Sequence, residues 1–227
     1  MFRSHPERQL RIADETREVL RDLNRRSRRS GRLSPLAYNL TISHQYRFMW
    51  FRVAKVASRT VFGHFSTHSI PLDVGHGMRV RYPTDAFADY VKFAFVRDPL
   101  DRFVSAWRDK VVDHNYFKLD AGEHARLQDL GAFAEWVAAQ DLADLQATDH
   151  HLTLQSRAVD LTQVDILGRL ETFDADFDAV CAATGMPRVP PQVRNRSSER
   201  RRDGVPEHVA ALVRAAYAKD YAIFGYQ

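Results

Sequence analysis

The sequence predicts an α/β fold: a P-loop-like, three-layer α/β/α arrangement around a mainly parallel central sheet. Three observations carry that expectation. Short apolar runs rich in aromatic and β-branched residues alternate with longer helical patterns along the chain. Two of those runs pass directly into a helix start, around residues 46–60 and 90–110, as the turns of a parallel sheet do. The 227 residues are enough for a sizeable core and contain no internal repeat or low-complexity linker. Residues 1–227 therefore read as a single domain, with 1–40 a helical, basic N-terminal extension.

Taken in order, residues 7–30 suit a polar helix with Leu10, Leu20 and Leu23 on its drier side. Residues 46–53 read as a buried strand, and residues 58–65 as the helix that follows it. Pro83 and Thr84 sit near the start of a turn and short helix over 82–90. Residues 90–96, YVKFAFV, form a second strand candidate. Asp98 and Pro99 then supply an N-cap and a first helical residue, and the helix continues through DRFVSAWRDKVV. Further helices are expected over 131–146 and 173–184, the latter stopped by Gly185 and Pro187. A third strand is expected over 164–170, and Pro206 opens a last helix to about residue 222.

Composition narrows the class. Hydrophobic residues make up 44% and charged residues 27%, an ordinary globular balance. No apolar run reaches the roughly 18 residues of a membrane helix, and the charged N-terminus lacks the apolar core of a signal peptide. Cys181 is the single cysteine, which excludes an intrachain disulfide and an all-cysteine metal site. The simplest placement is cytoplasmic, with peripheral attachment to a membrane left open. Net charge is +4, and arginines cluster in RRSRRSGR (Arg25–Arg32) and RNRSSERRR (Arg194–Arg202). The planar guanidinium fork suits phosphate, sulfate and carboxylate, so an anionic ligand or partner is expected. Basic charge alone is weak support for nucleic acid, and solvated loops explain each block equally well.

The two junctions carry more. FRVAKVASRT (Phe51–Thr60) runs from a strand through Lys55 into small and hydroxyl residues, although the glycine pattern of a Walker loop is missing. Amides of Ala57–Thr60 at a helix N-terminus would favour an anion, and Lys55 adds a mobile charge. In FAFVRDPLDRFVSAWRDK (Phe93–Lys110), Arg97 ends a strand and Ser105 lies two turns into the next helix. Each junction alone is explained by a capped helix with a structural arginine. Together they point to a ligand with two anionic ends.

These segments resemble the sulfotransferases that use 3′-phosphoadenosine 5′-phosphosulfate, in particular the carbohydrate and uronyl 2-O-sulfotransferase branch. RVAKVASRT is similar to that branch's 5′-phosphosulfate loop, R-V-P-K-x-A-S/C-S/T, with Ala54 in place of proline. FVRDPLDRFVSAWRDK resembles its 3′-phosphate motif, V-R-D-P-x-x-R-x-x-S-x-F/Y/W. DHHLTLQ (Asp149–Gln155) resembles D-x-H-x-x-P-Q, with Leu154 in place of proline, and VDILGRLETF resembles the later I-G-x-x-E-x-F/L. YAKDYAIFGY resembles the C-terminal Y-x-x-D-F/Y-x-x-F/L-x-Y.

The resemblance implies that the donor is 3′-phosphoadenosine 5′-phosphosulfate and that no metal is required. Lys55 would lie near the bridging oxygen, and Ala57, Ser58, Arg59 and Thr60 would form the loop around the 5′-phosphate. Arg97 and Ser105 would bind the 3′-phosphate, and Arg52 would sit near the sulfo group. The residues after Asn195 would supply a closing loop. The acceptor hydroxyl needs a base near neutral pH, and histidine fits best. His76, flanked by glycines in VGHGMR as in a tight loop, is the first choice; His150 or His151 and an acidic base are the alternatives. His64 and His68 have the i, i+4 spacing of a metal pair but no third ligand is evident. The expected partner is a glycan or glycolipid acceptor carrying negative charge, with no nucleic acid; the hydroxyl modified and the oligomeric state stay open. Two other readings compete. A P-loop nucleotide kinase needs a Walker lysine followed by Ser or Thr and a magnesium-binding aspartate. A non-catalytic basic module for nucleic acid or glycans explains the arginines but not the paired junctions.

Overall fold

The computed structural model describes residues 33–145, 147–188 and 204–227. The expected helix over 7–30, the block Arg25–Arg32, the block Arg194–Arg202 and the proposed closing loop lie outside the described residues. In chain order the elements are β1 (Tyr38–Ser43), β2 (Phe48–Phe51), α1 (Ser58–Thr67), β3 (Val74–Val80), β4 (Val91–Val96), α2 (Pro99–Trp107), α3 (Ala121–Leu127), α4 (Leu130–Ala138), α5 (Gln155–Ala158), β5 (Ile166–Arg169), α6 (Phe173–Thr184), α7 (Glu207–Ala216) and α8 (Ala218–Phe224). No described helix is long and apolar enough to cross a membrane. The described chain forms two compact units, one of residues 33–96 and 158–188, the other of residues 97–157 and 204–227.

The first unit is built on a five-stranded sheet in the order β3-β1-β2-β4-β5. β2 pairs with β4, and β4 with β5, in parallel. β1 pairs antiparallel with both β2 and β3, so the sheet is mixed and not mainly parallel as expected. The reason is chain length. Only residues 44–47 separate β1 from β2, whereas a parallel crossover needs a dozen residues or more. β2 is buried along its whole length, as the centre of a sheet covered on both faces should be. Trp50 and Phe93 stack on neighbouring parallel strands with ring centroids 6.0 Å apart. Phe48 stacks on Phe65 of α1, and Phe95 packs on Phe173 and Phe177 of α6. A Cβ at Gly168 would run into the Phe95 ring, so glycine lets β5 sit close to β4 at that point. Cys181 on α6 is buried, and burial pushes its thiol up to about 11.

The second unit is helical. Leu100, Phe103 and Val104 of α2 pack with Phe133 and Val137 of α4 and with Val209 and Val213 of α7 in one core. Asp98 caps α2 by accepting from the Asp101 amide at 3.0 Å, and Pro99 follows at the first helical position, as expected. α2 continues into a π-helical turn over Arg108–Val112.

The helices over 58–65 and 173–184 and the strands over 90–96 and 164–170 form close to their expected positions, and the run 46–53 supplies the shorter β2. Elsewhere local hydrogen bonds intervene. Residues 82–90 form turns without a helix. The helix expected over 131–146 stops at Ala138, beyond which Asp141 accepts from the Ala143 amide at 3.0 Å. That short side-chain turn competes with helix continuation. The last helix breaks at Tyr217 into α7 and α8. β1, β3 and α3 have no counterpart in the sequence reading.

Candidate functional site

The first junction leaves the central strand β2. Arg52 follows it directly, Val53 and Val56 anchor the loop in the core, and α1 begins at Ser58. Lys55 and Ala57 both adopt left-handed backbone, with φ of 67° and 49°. Such conformations cost a non-glycine residue roughly 1–2 kcal/mol each. Ala57 occupies the cap position of α1, with no side-chain cap and no acidic residue in the first turn. The first helical amides, at Ser58 and Arg59, have no partner within the helix. Successive amides beside a left-handed residue form a concave cradle suited to an anion. Ser58 and Thr60 are half-buried and Arg59 is exposed.

Arg52 and His76 come together although 24 residues separate them. Nη1 of Arg52 lies 3.2 Å from Nδ1 of His76, and Nη2 donates to the Gly77 carbonyl at 2.8 Å. The Phe62 ring of α1 stands 4.5 Å from the imidazole. Burial lowers the Arg52 guanidinium to about 10. Burial and the Arg52 charge hold His76 below 6.5. The expectation that His76 occupies a tight loop is corrected: it lies on β3, an edge strand, its ring covered on the side of Phe62 and Arg52 and otherwise exposed.

The second junction belongs to the other unit. Arg97 is buried, and its backbone is clasped by the Gln155 amide: Arg97 N donates to Oε1 at 3.0 Å, and Nε2 donates to the Arg97 carbonyl at 2.7 Å. Its guanidinium lies 3.7 Å from Asp101, which is equally buried. Ser105, one turn beyond Asp101 on α2, is half-buried. Gln155 is held in turn by Asp220, whose two carboxylate oxygens accept from the amides of Gln155 and Ser156 at 2.7 and 2.9 Å. Tyr217 donates to the Leu152 carbonyl at 2.6 Å. Arg102, fully buried, donates to the carbonyls of Thr153 and His150. Burial lowers its pKa, against the opposing pull of Tyr217, Asp220 and Asp149.

These four residues, Arg102, Gln155, Tyr217 and Asp220, received no role from the sequence. Their signal was present as buried polar positions inside three separate motifs, and the hydrogen bonds supply the reason. They tie the segments 97–105, 149–156 and 217–220 into one frame.

The same unit holds Asp149, His150 and His151, whose ligand-type atoms all lie within 4.8 Å of one another. His151 bonds to Asp149 Oδ1 through Nδ1 at 2.7 Å and through its backbone amide at 2.9 Å. Burial alone would raise the Asp149 carboxyl, but the His151 hydrogen bond and the charges of His150 and His151 hold it below the usual carboxylate range. His64 of α1 and His68, which caps its C-terminus, are ring neighbours at 4.4 Å, and Cys181 Sγ lies 3.9 Å from His64 Nε2.

Residues 38–227, which span both junctions, match the model of the family described as the sulfotransferase family. No curated protein and no solved structure matches the chain.

Proposed function

This chain belongs to the sulfotransferase family, and we propose that it transfers the sulfuryl group of 3′-phosphoadenosine 5′-phosphosulfate to a hydroxyl of a carbohydrate or glycoconjugate. The observation that carries the donor reading is the uncapped N-terminus of α1, entered through two left-handed residues, Lys55 and Ala57. A phosphosulfate supplies the negative charge that this helix start lacks.

In this reading Ala57, Ser58, Arg59 and Thr60 hold the 5′-phosphate and Arg52 faces the sulfo group. Arg97 and Ser105 take the 3′-phosphate. The acceptor oxygen attacks sulfur in line while His76 takes the hydroxyl proton. The bond from sulfur to the bridging oxygen breaks, and its electron pair stays on that oxygen beside Lys55. Sulfuryl transfer, like phosphoryl transfer, asks mainly for placement and charge stabilisation, which these cations provide without a metal. The proposal treats 1–227 as one catalytic domain acting on an anionic glycan or glycolipid in the cytoplasm.

Incubation with sulfur-labelled donor and a panel of glycans and lipid-linked sugars tests it, alongside titration with 3′-phosphoadenosine 5′-phosphate. Saturable nucleotide binding and label transfer that survives a metal chelator are expected. Absence of nucleotide binding overturns the reading.

A further inference from the structure

We propose that Arg52 is a positioning residue that keeps His76 from acting as a base until the donor's sulfo group draws the guanidinium away. The inference rests on the donor reading given above for the Arg52 loop.

The first support is the chemistry of the contact. An arginine side chain carries only N–H donors and no acceptor. At 3.2 Å from Arg52 Nη1, the His76 Nδ1 must therefore be the nitrogen with the lone pair. A neutral imidazole so arranged carries its proton on Nε2. One nitrogen is then occupied and the other already protonated, so neither accepts a proton from a hydroxyl. The Arg52 charge also disfavours an imidazolium at this position. Among the described residues Arg52 is the charged group acting on His76; Phe62 of α1, packed on the ring, is apolar.

The second support is the state of Arg52 itself. Its partners are neutral: the His76 ring, the Gly77 carbonyl and the Met78 sulfur at 3.6 Å. No described carboxylate pairs with it, and its Nε is buried with no hydrogen-bond partner. A guanidinium held this way gains by exchanging a neutral imidazole for anionic oxygens, because an acceptor of opposite charge adds Coulomb attraction and can take two N–H groups at once. The sulfo group offers three oxygens. When Arg52 turns to them, the His76 lone pair is released and can take the acceptor's proton as the new oxygen–sulfur bond forms. Donor binding thus precedes basicity, and the product nucleotide, which lacks the sulfo group, does not trigger the release.

Nitrogen-15 spectra of histidine-labelled wild-type protein test this. The His76 signal is assigned by its loss in His76→Gln, or by backbone assignment if that variant does not fold. Free protein and protein saturated with 3′-phosphoadenosine 5′-phosphate should both show the Nε2–H tautomer with a titration below 6.5. With 3′-phosphoadenosine 5′-phosphosulfate and no acceptor, the Nδ1 shift should change and the titration should rise toward the ordinary value of about 6.5. In Arg52→Gln the His76 tautomer should no longer distinguish the two nucleotides. If the donor binds and is turned over while His76 looks the same as with the product nucleotide, the proposal is overturned. If neither nucleotide binds, the donor reading itself fails, and this inference with it.

Discussion

Two helix starts in this molecule solve the same problem in opposite ways. α2 opens with Asp98, which satisfies the Asp101 amide, while Gln155 takes up both backbone groups of Arg97. α1 opens with Ala57 in a left-handed conformation, no side-chain cap and no acidic residue in its first turn. A closed start can offer a ligand only its side chains. An open start offers its backbone, and carries strain at Lys55 and Ala57 while doing so. The two anion-binding readings therefore rest on different physics, amides and dipole in one unit, a guanidinium in the other, and respond to different substitutions.

The largest expected effect tests whether chemistry sits with the open start. His76→Ala should lower single-turnover rates by about a hundred- to ten-thousandfold with little change in donor affinity. Because burial and Arg52 hold His76 below 6.5 in the free protein, the ascending limb of kcat/KM against pH should lie on the acid side of that value. If His151→Ala collapses turnover while His76→Ala does not, the base is the imidazole oriented by Asp149. Lys55→Ala should cost about a hundred- to thousandfold in turnover but little in affinity for the product nucleotide, since the lysine acts on charge that develops late. Intact turnover would remove Lys55 from the leaving group.

Next comes the frame behind the closed start. Asp220→Ala leaves the buried amide of Gln155 and the half-buried amide of Ser156 without acceptors and should destabilise the protein by about 2–5 kcal/mol, read from urea midpoints, with Asp220→Asn milder. Arg97→Ala should weaken 3′-phosphoadenosine 5′-phosphate by about 1.5–3 kcal/mol, and adenosine 5′-phosphosulfate, which has no 3′-phosphate, far less. Equal losses for both nucleotides would make Arg97 a structural partner of Asp101. The smallest effect returns to the open start: Ala57→Gly should relieve about 1 kcal/mol of left-handed strain, raising the unfolding midpoint while nucleotide binding holds.

What the sequence revealed divides along local and long-range chemistry. Asp98-Pro99 was legible because a cap and a pre-set φ act within three residues. The β1–β2 hairpin was not, since its turn passes through Arg47 at φ 46° and contains neither glycine nor proline to mark it. The glycines around His76 have the pattern of a loop in the sequence. Gly77 is instead a strand residue, where a Cβ would meet Val74 at 3.0 Å and the Leu40 carbonyl at 3.1 Å. Close approach of two strands and exposure in a loop call for the same residue, and sequence alone does not separate them. Gln155 and Asp220 stood in the motifs as letters, but the amides they serve lie up to 65 residues away.

The buried thiol on α6 has a practical side. Cys181 is the chain's single cysteine, and at neutral pH a thiol pushed up to about 11 is almost wholly protonated. A second cysteine placed at an exposed position such as Ser66 on α1 would be the fast-reacting thiol under native conditions. One fluorophore could then be attached there without first mutating Cys181. The helix that begins at the open start would carry its own reporter.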